Sequence, residues 1–190
     1  MIPRKPFAYI RHGQTGYNAN DWYCGSHNIP LNEIGEQQAR DASPLLNYPW
    51  SCVTVSPLLR AQQTARLAVP MADLVIDHRF AERHFGDDEG QPIQRPINHL
   101  QTPPNGEAWE DFCQRIEDGL SDLLAQHDLP LVVAHGAVYR GMYYRMFGSP
   151  DCEPFPNATP VLFEPVGGSG WRITALADLA DGWYEQTRNA

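Results

Sequence analysis

Short apolar runs alternate with helical patterns along this chain, and this alternation constrains its fold more than any other feature. Four runs have the length and composition of buried strands, at residues 7–10, 51–55, 74–76 and 131–134. The clearest helical pattern, at residues 109–124, repeats apolar side chains with the period of an amphipathic helix. Parallel strands need long crossovers that are usually helical, so this order predicts an α/β fold with three layers, α/β/α, around a mostly parallel sheet.

A hairpin is predicted near the C-terminus. Val161 and Phe163 alternate with other residues before a Gly-Gly-Ser-Gly turn at residues 167–170, and Trp171 and Ile173 continue the alternation after it. Such a hairpin would form an antiparallel C-terminal edge of the sheet. With 190 residues, of which 42% are hydrophobic, the chain is long enough to bury a full core. We therefore expect residues 1–190 to form a single domain.

Composition argues against several classes of partner. A formal net charge of -9 is opposite in sign to that of a nucleic-acid binder, and it requires a local arginine cluster to attract any anionic substrate. The sequence contains no run of 18 or more apolar residues and no apolar signal core in residues 1–6. The four cysteines are scattered without CxxC spacing, so free thiols are expected. These features predict a cytoplasmic protein without membrane or nucleic-acid partners.

Capping residues indicate where two helices begin. Asn32 is expected to cap one helix, and Ser56 is expected to cap another with Pro57 at its first position. The second start would place Arg60 near a helix N-terminus, directly after a strand. Residues 16–30 predict a long loop, and residues 80–104 predict a loop with one helical turn.

Three of the predicted strands end in cationic or potentially cationic groups. Arg11 and His12 follow the first strand, Arg60 follows the second, and His135 follows the fourth. The carboxyl ends of parallel strands share one edge of the sheet, which is where open α/β sheets bind ligands. We therefore expect these side chains to converge on one pocket, together with glycine amides and helix N-termini. This set favours phosphate chemistry without a metal, because arginine binds phosphate oxygens and neutral histidine can act as a nucleophile.

The chain resembles the histidine phosphatase superfamily, also called phosphoglycerate mutase-like. The matching residues occur in the family's order over roughly residues 7–140: Arg11-His12-Gly13-Gln14-Thr15, Asn18, Gly25, Pro30-Leu31, Gly35, Gln38-Ala39, Ser56-Pro57-Leu58-Leu59-Arg60-Ala61, Gln63-Thr64-Ala65, Glu82, Gly86, Glu89-Gly90, Gly106-Glu107 and His135-Gly136. A lone Arg-His-Gly would carry little weight, whereas the ordered set is specific.

The resemblance implies a role for each matched residue. His12 would be the nucleophile that takes up the phosphoryl group, and Glu82 would be the proton donor to the leaving oxygen and then the base for water. The phosphoryl oxygens would be bound by Arg11, Arg60 and His135, with Asn18, Gly25 and Gly136 assisting. These roles suit phosphoryl transfer, which depends on positioning and countercharge. The resemblance implies neither a cofactor nor a metal.

Three carboxylates close to Glu82 leave its role open to alternatives. Asp87, Asp88 and Glu89 could assist or replace it, form a metal site, or lie on a solvated turn. The family often has an aromatic residue where this chain has Asp88.

Three functions fit the predicted site. The first is hydrolysis of a small phosphorylated metabolite by a histidine acid phosphatase-type enzyme, and the second is phosphoglycerate mutase activity. Between Gly90 and Gly106 the chain is short and offers only Arg95 as an additional cation, which favours hydrolysis because an open pocket admits water. The third is a non-catalytic binder of phospho-ligands on the same fold. Trp22 and His84 flank the predicted site segments and are candidates for the pocket mouth. The sequence leaves open the substrate and whether the protein is a monomer or a homodimer.

Overall fold

The computed structural model describes residues 1–152 and 155–179. In this part of the chain six strands form one sheet: β1 (Phe7–Arg11), β2 (Val53–Val55), β3 (Leu74–Ile76), β4 (Leu131–Ala134), β5 (Pro160–Val166) and β6 (Gly170–Ala175). The described α-helices are α1 (Gly16–Ala19), α2 (Glu33–Ala42), α3 (Leu59–Ala68), α4 (Trp109–Gln126) and α5 (Gly136–Phe147).

The strands lie in the order β3-β2-β4-β1-β5-β6. The pairs β3–β2, β2–β4 and β4–β1 are parallel, whereas β5 runs antiparallel to β1 and β6 antiparallel to β5. The predicted α/β sheet with an antiparallel C-terminal edge is therefore confirmed. The carboxyl ends of β1, β2 and β4 meet at one edge of this sheet.

Helices cover both faces of the sheet, so alternate residues of β1 lie in two different hydrophobic cores. Phe7 and Tyr9 pack with α4 and α5, whereas Ala8 and Ile10 pack with α2 and α3. Successive side chains of a strand point to opposite faces, and all four of these residues are at most 1% exposed. Because both faces of β1 are buried, residues 7–10 are continuously apolar.

Two details near the site differ from the sequence predictions. The segment expected to be one long loop contains the short helix α1, which Thr15 and Asn18 cap reciprocally through a capping box. The helix predicted to begin at Pro57 begins instead at Leu59, with Leu58 as its N-cap and no side-chain cap. By contrast, Asn32 caps α2 as expected and accepts a hydrogen bond from the Gly35 amide at 2.8 Å.

Two glycines allow the loop after β1 to pack directly on α2. A Cβ atom added to Gly13 would lie 2.3 Å from the carbonyl oxygen of Gly35, and one added to Gly35 would lie 2.0 Å from the carbonyl oxygen of Gln14. The Gly13 amide also donates to the hydroxyl of Thr64 on α3 at 2.9 Å. The backbone beside His12 is thus fixed by two helices. No described helix is long and apolar enough to cross a bilayer.

Candidate active site

A cavity of about 340 Å³ opens at the carboxyl edge of the sheet. Six of the eight residues predicted from the sequence to form the site line this cavity: Arg11, His12, Asn18, Gly25, Glu82 and Gly136. The other two are fully buried beside His12, where Arg60 donates to its ring and His135 lies with its ring centroid 5.2 Å away. The structure thus brings all eight predicted residues together, although they are distributed over 126 positions of the sequence.

The hydrogen bonds of His12 define its tautomer. Nδ1 lies 2.7 Å from the carbonyl oxygen of Gly13, which can only accept, so Nδ1 carries the proton. Nε2 lies 3.3 Å from Nε of Arg60, which can only donate, so Nε2 presents its lone pair. Burial lowers the pKa of His12 well below its usual value, and the charges of Arg60 and Arg11 lower it further. His12 is therefore a neutral imidazole with a nucleophilic nitrogen.

Arg60 is held by backbone carbonyl groups. Its two terminal nitrogens donate to the carbonyl oxygens of His27 at 2.7 Å and Gly25 at 2.8 Å. Gly25 has a φ of +47°, a left-handed conformation that glycine adopts without strain. The Gly25 carbonyl is therefore directed at Arg60. A buried guanidinium fixed in this way needs no reorganisation when an anion binds.

Arg11 provides the second guanidinium of the cavity. Its Nε is buried and has no hydrogen-bond partner among the described residues. A Cβ atom on Gly136 would lie 3.5 Å from the guanidinium, so the first residue of α5 sits directly against it. The cavity floor therefore combines the Arg11 guanidinium with the N-terminal end of α5, and the buried Arg60 guanidinium lies behind His12, an arrangement suited to an anion.

His135 is oriented by a serine. Its Nε2 lies 2.6 Å from the hydroxyl of Ser56, which also accepts a hydrogen bond from the Leu58 amide at 3.2 Å. When the hydroxyl donates its proton to Nε2, the proton of the neutral imidazole lies on Nδ1. Burial lowers the pKa of His135 well below its usual value, with the Arg60 charge acting in the same direction. Nδ1 is buried without a partner among the described residues and is available as a donor.

Glu82 brings a carboxyl group into this cationic cavity. Its two oxygens accept from the amides of Arg83 at 2.9 Å and Ala137 at 3.3 Å. Burial raises the pKa of Glu82, and the Arg60 charge and these two amides oppose the rise only in part. A carboxyl group whose pKa is raised retains a proton at higher pH than an exposed glutamate does, as a general acid requires.

The site and the fold agree with a comparison to known families. The model of the histidine phosphatase superfamily (branch 1) matches residues 7–178. The chain belongs to this superfamily.

Relatives in the histidine phosphatase superfamily include both phosphatases and mutases. Over 146 residues the chain is 32% identical to the uncharacterized phosphatase PhoE of Bacillus subtilis, covering 73% of this chain and 76% of that protein. Over 160 residues it is 32% identical to the adenosylcobalamin/alpha-ribazole phosphatase of Salmonella typhimurium, covering 74% and 79%. Over 159 residues it is 30% identical to the probable phosphoglycerate mutase GpmB of an Enterobacter species, covering 74% of each.

Solved structures confirm the phosphoglycerate mutase-like fold. A mycobacterial glucosyl-3-phosphoglycerate phosphatase in complex with VO3 superposes with a TM-score of 0.78 at 24% identity, over 90% of this chain and 98% of that one. A phosphoglycerate mutase from Thermus thermophilus superposes with a TM-score of 0.70 at 27% identity, over 83% and 91%.

The carboxylates that follow Glu82 in this superfamily member lie outside the cavity lining. Asp87 accepts a hydrogen bond from Asn105, and the buried carboxylate of Glu89 accepts from the amides of Ser26 and Phe85. Glu89 therefore ties the loop that holds Arg60 to the segment after Glu82. In the described part of the chain, no group of three or more His, Cys, Asp or Glu side chains could hold a metal ion.

Sequence reasoning missed Asn157, which lines the cavity from the segment before β5. Its amide donates to the carbonyl oxygen of His12 at 2.8 Å and lies 3.4 Å from the side-chain oxygen of Asn18. Asn18 in turn contacts Cys24, which also lines the cavity. Asn157 lies between two prolines in a turn, and nothing local in that pattern indicates a contact with residue 12.

The cavity mouth agrees with the sequence predictions only in part. Trp22 lines it as expected, whereas the other candidate, His84, does not. His84 is instead exposed, and its Nε2 lies 3.8 Å from the Glu89 carboxylate. The remaining lining of the mouth comes from three parts of the chain: Asp21 and Tyr23, then Phe85, Ile93, Arg95, Ile97 and His99, and finally Arg140.

Proposed function

We propose that this protein is a phosphomonoester hydrolase that works without a metal ion, through a phosphohistidine on His12. The observation that carries the proposal is the lone pair of His12 Nε2, which is held next to Arg60 in a cavity that also contains Glu82. A neutral histidine nucleophile, cationic groups for the phosphoryl oxygens and a carboxyl group of raised pKa are the parts that the reaction needs.

In the first step His12 Nε2 attacks phosphorus and the bond between phosphorus and the ester oxygen breaks. Glu82 gives its proton to that oxygen, so the leaving group departs as an alcohol. The Nδ1–H bond to the Gly13 carbonyl supports the positive charge that develops on the ring. Arg11, Arg60 and His135 Nδ1 donate to the phosphoryl oxygens as charge moves toward the leaving oxygen.

In the second step Glu82, now a carboxylate, takes a proton from water. The water oxygen attacks phosphorus, the P–N bond breaks, and inorganic phosphate is released. Glu82 ends protonated and His12 Nε2 regains its lone pair, so both residues are ready for another turnover. A mutase would return the phosphoryl group to a substrate hydroxyl instead.

Phosphate release from a panel of phosphomonoesters, with EDTA present, tests the proposal. We expect release that survives EDTA and is inhibited by vanadate, which resembles the phosphoryl group in transfer. The same samples are assayed for interconversion of 2- and 3-phosphoglycerate. Faster interconversion than phosphate release would favour the mutase, and vanadate binding without any turnover would favour the non-catalytic binder.

The pKa shifts predict that kcat is highest between the lowered pKa of His12 and the raised pKa of Glu82. His12 must be neutral to attack phosphorus. Because its pKa lies well below the usual 6.5, its protonation lowers kcat only in more acidic solution. Glu82 must be protonated, and because its pKa lies above the usual 4.5, activity persists to higher pH and falls as pH rises through that raised value. The measurement is kcat against pH, and a kcat that rises between pH 6 and 8 would contradict this assignment.

Substitution of Ser56 by alanine tests the tautomer assigned to His135. Loss of the hydroxyl leaves Nε2 without its donor, so the ring proton can move there from Nδ1. We expect kcat/KM to fall by about 5- to 50-fold, the equivalent of one buried hydrogen bond. Nitrogen NMR of His135 reports the tautomer directly, and Ser56→Thr, which keeps the hydroxyl, serves as the control. An unchanged nitrogen spectrum in Ser56→Ala would contradict the role of Ser56.

A further inference from the structure

Two chain segments that are distant in sequence pair with each other as a ribbon. This ribbon forms one wall of the outer half of the cavity. Residues 21–23 and 90–93 pair in antiparallel fashion through three backbone hydrogen bonds: Tyr23 to Gln91 at 3.0 Å, Gly90 to Tyr23 at 2.9 Å and Ile93 to Asp21 at 2.8 Å. This pairing places the Trp22 and Tyr23 side chains at the cavity. Tyr23 also packs against Phe85, with ring centroids 4.9 Å apart. One side of the outer cavity is therefore aromatic.

The chain continues from this ribbon as a strap, which we define as residues 93–99. Its odd-numbered residues, Ile93, Arg95, Ile97 and His99, line the catalytic cavity. Its even-numbered residues, Gln94, Pro96 and Asn98, line a separate cavity, to which Ile97 also contributes. Ile93 and Ile97 are half-buried, although the residues on the opposite face are exposed. The strap therefore contributes the aliphatic side chains of Ile93 and Ile97 to the cavity that the aromatic side chains also line.

Most titratable side chains around the outer cavity are ion-paired, hydrogen-bonded to backbone carbonyl groups or uncharged. Arg95 forms an ion pair with Asp21 at 2.7 Å, and Arg83 is buried with its guanidinium donating to backbone carbonyl groups. His99 has a pKa lowered to about 4, mainly by burial, and is neutral near pH 7. Arg140 remains as a cation, and it donates to the carbonyl oxygens of Pro150 and Cys152.

From these walls we infer that the substrate is a phosphomonoester whose leaving group carries an apolar ring. The phosphoryl group would occupy the cationic floor, and the ring would pack against the aromatic side chains and the two isoleucines of the strap. Aromatic rings pack favourably against other aromatic rings as well as against aliphatic side chains, and a cavity of about 340 Å³ has room for one ring beside a phosphoryl group. This inference rests on the proposed phosphatase function.

Matched esters test the substrate class. Ethyl phosphate and 2-phenylethyl phosphate both release a primary alcohol, so they differ mainly in the ring. We expect kcat/KM to be about 10- to 100-fold higher for the phenyl ester, as for a group that fills an apolar pocket. 3-Phosphoglycerate is the competing candidate, because it would use Arg140 to bind its carboxylate instead of using the apolar walls.

Variants on the two faces of the strap locate the effect. Ile93→Ser combined with Ile97→Ser should lower the ratio of kcat/KM for the phenyl ester to that for the ethyl ester, while the aromatic side chains keep part of the preference. Gln94→Ser combined with Asn98→Ser changes the face that points away from the cavity, so it should leave that ratio unchanged. Inhibition by vanadate checks that the phosphate site of each variant is folded.

The outcomes separate this inference from the function on which it rests. Equal kcat/KM for the two alkyl esters, or a preference for 3-phosphoglycerate, overturns the inference and leaves the phosphatase standing. If the ratio of kcat/KM values for the two alkyl esters is unchanged in the double isoleucine variant, the strap does not contact the ring and its assignment is wrong. Absence of phosphate release from every ester overturns the phosphatase function, and the inference with it.

Discussion

Replacing His12 with alanine should reduce phosphate release by about 10⁴-fold or more, because the reaction loses its nucleophile. The native protein should form an acid-labile, base-stable phosphoenzyme during turnover, and His12→Ala should form none. The physical basis is the fixed tautomer, in which Nδ1 is bonded to Gly13 and Nε2 keeps its lone pair. Among the described side chains that line the cavity, His99 is the other imidazole, and it lies on the strap and not on the cationic floor.

The measurement is phosphate release together with acid and base quenching of labelled protein. His78→Ala is the matched control, because His78 is exposed and does not line the cavity. Vanadate binding should persist in His12→Ala, since Arg11 and Arg60 remain in place. Turnover at the native rate in His12→Ala would overturn the phosphohistidine mechanism.

Replacing Glu82 with glutamine should lower kcat by about 10²- to 10⁴-fold, the usual contribution of a positioned proton donor. Glutamine preserves the shape of the side chain, and its oxygen can still accept one of the two amide hydrogen bonds. Phosphate and vanadate binding should therefore persist. Formation of the phosphoenzyme should be slowed more with an alkyl ester than with p-nitrophenyl phosphate, because nitrophenolate leaves readily without a proton.

Asp88→Asn is the control for Glu82→Gln. Asp88 is close in sequence but does not line the cavity, so its substitution should leave kcat near the native value. The alkaline fall in kcat should disappear in Glu82→Gln and remain in Asp88→Asn. If Asp88→Asn were the variant with the large loss, the proton donor would be Asp88, and the assignment of Glu82 would be wrong.

The fold was largely predictable because the central strands of its sheet are buried on both faces. Such strands must be apolar throughout, so the runs that became β1 and β4 stand out from the polar residues around them. The hairpin of β5 and β6 was predictable for a related reason, since apolar residues alternate along its strands and its turn is rich in glycine. The start of α3 was not predictable, because the hydroxyl of Ser56 bonds to both His135 and the Leu58 amide, while the helix itself begins only at Leu59.

The sequence by itself determined the family and which residues would meet at the carboxyl edge of the sheet. Parallel strands share one edge, so residues that follow different strands converge whatever their separation along the chain. Only the tertiary structure decided the protonated nitrogen of His12, the contact of Asn157 with the nucleophile loop and the two faces of the strap. Each of these depends on hydrogen bonds or packing between segments that carry no local signal of their pairing. The apolar wall that underlies the inferred substrate class is therefore a property of the folded chain.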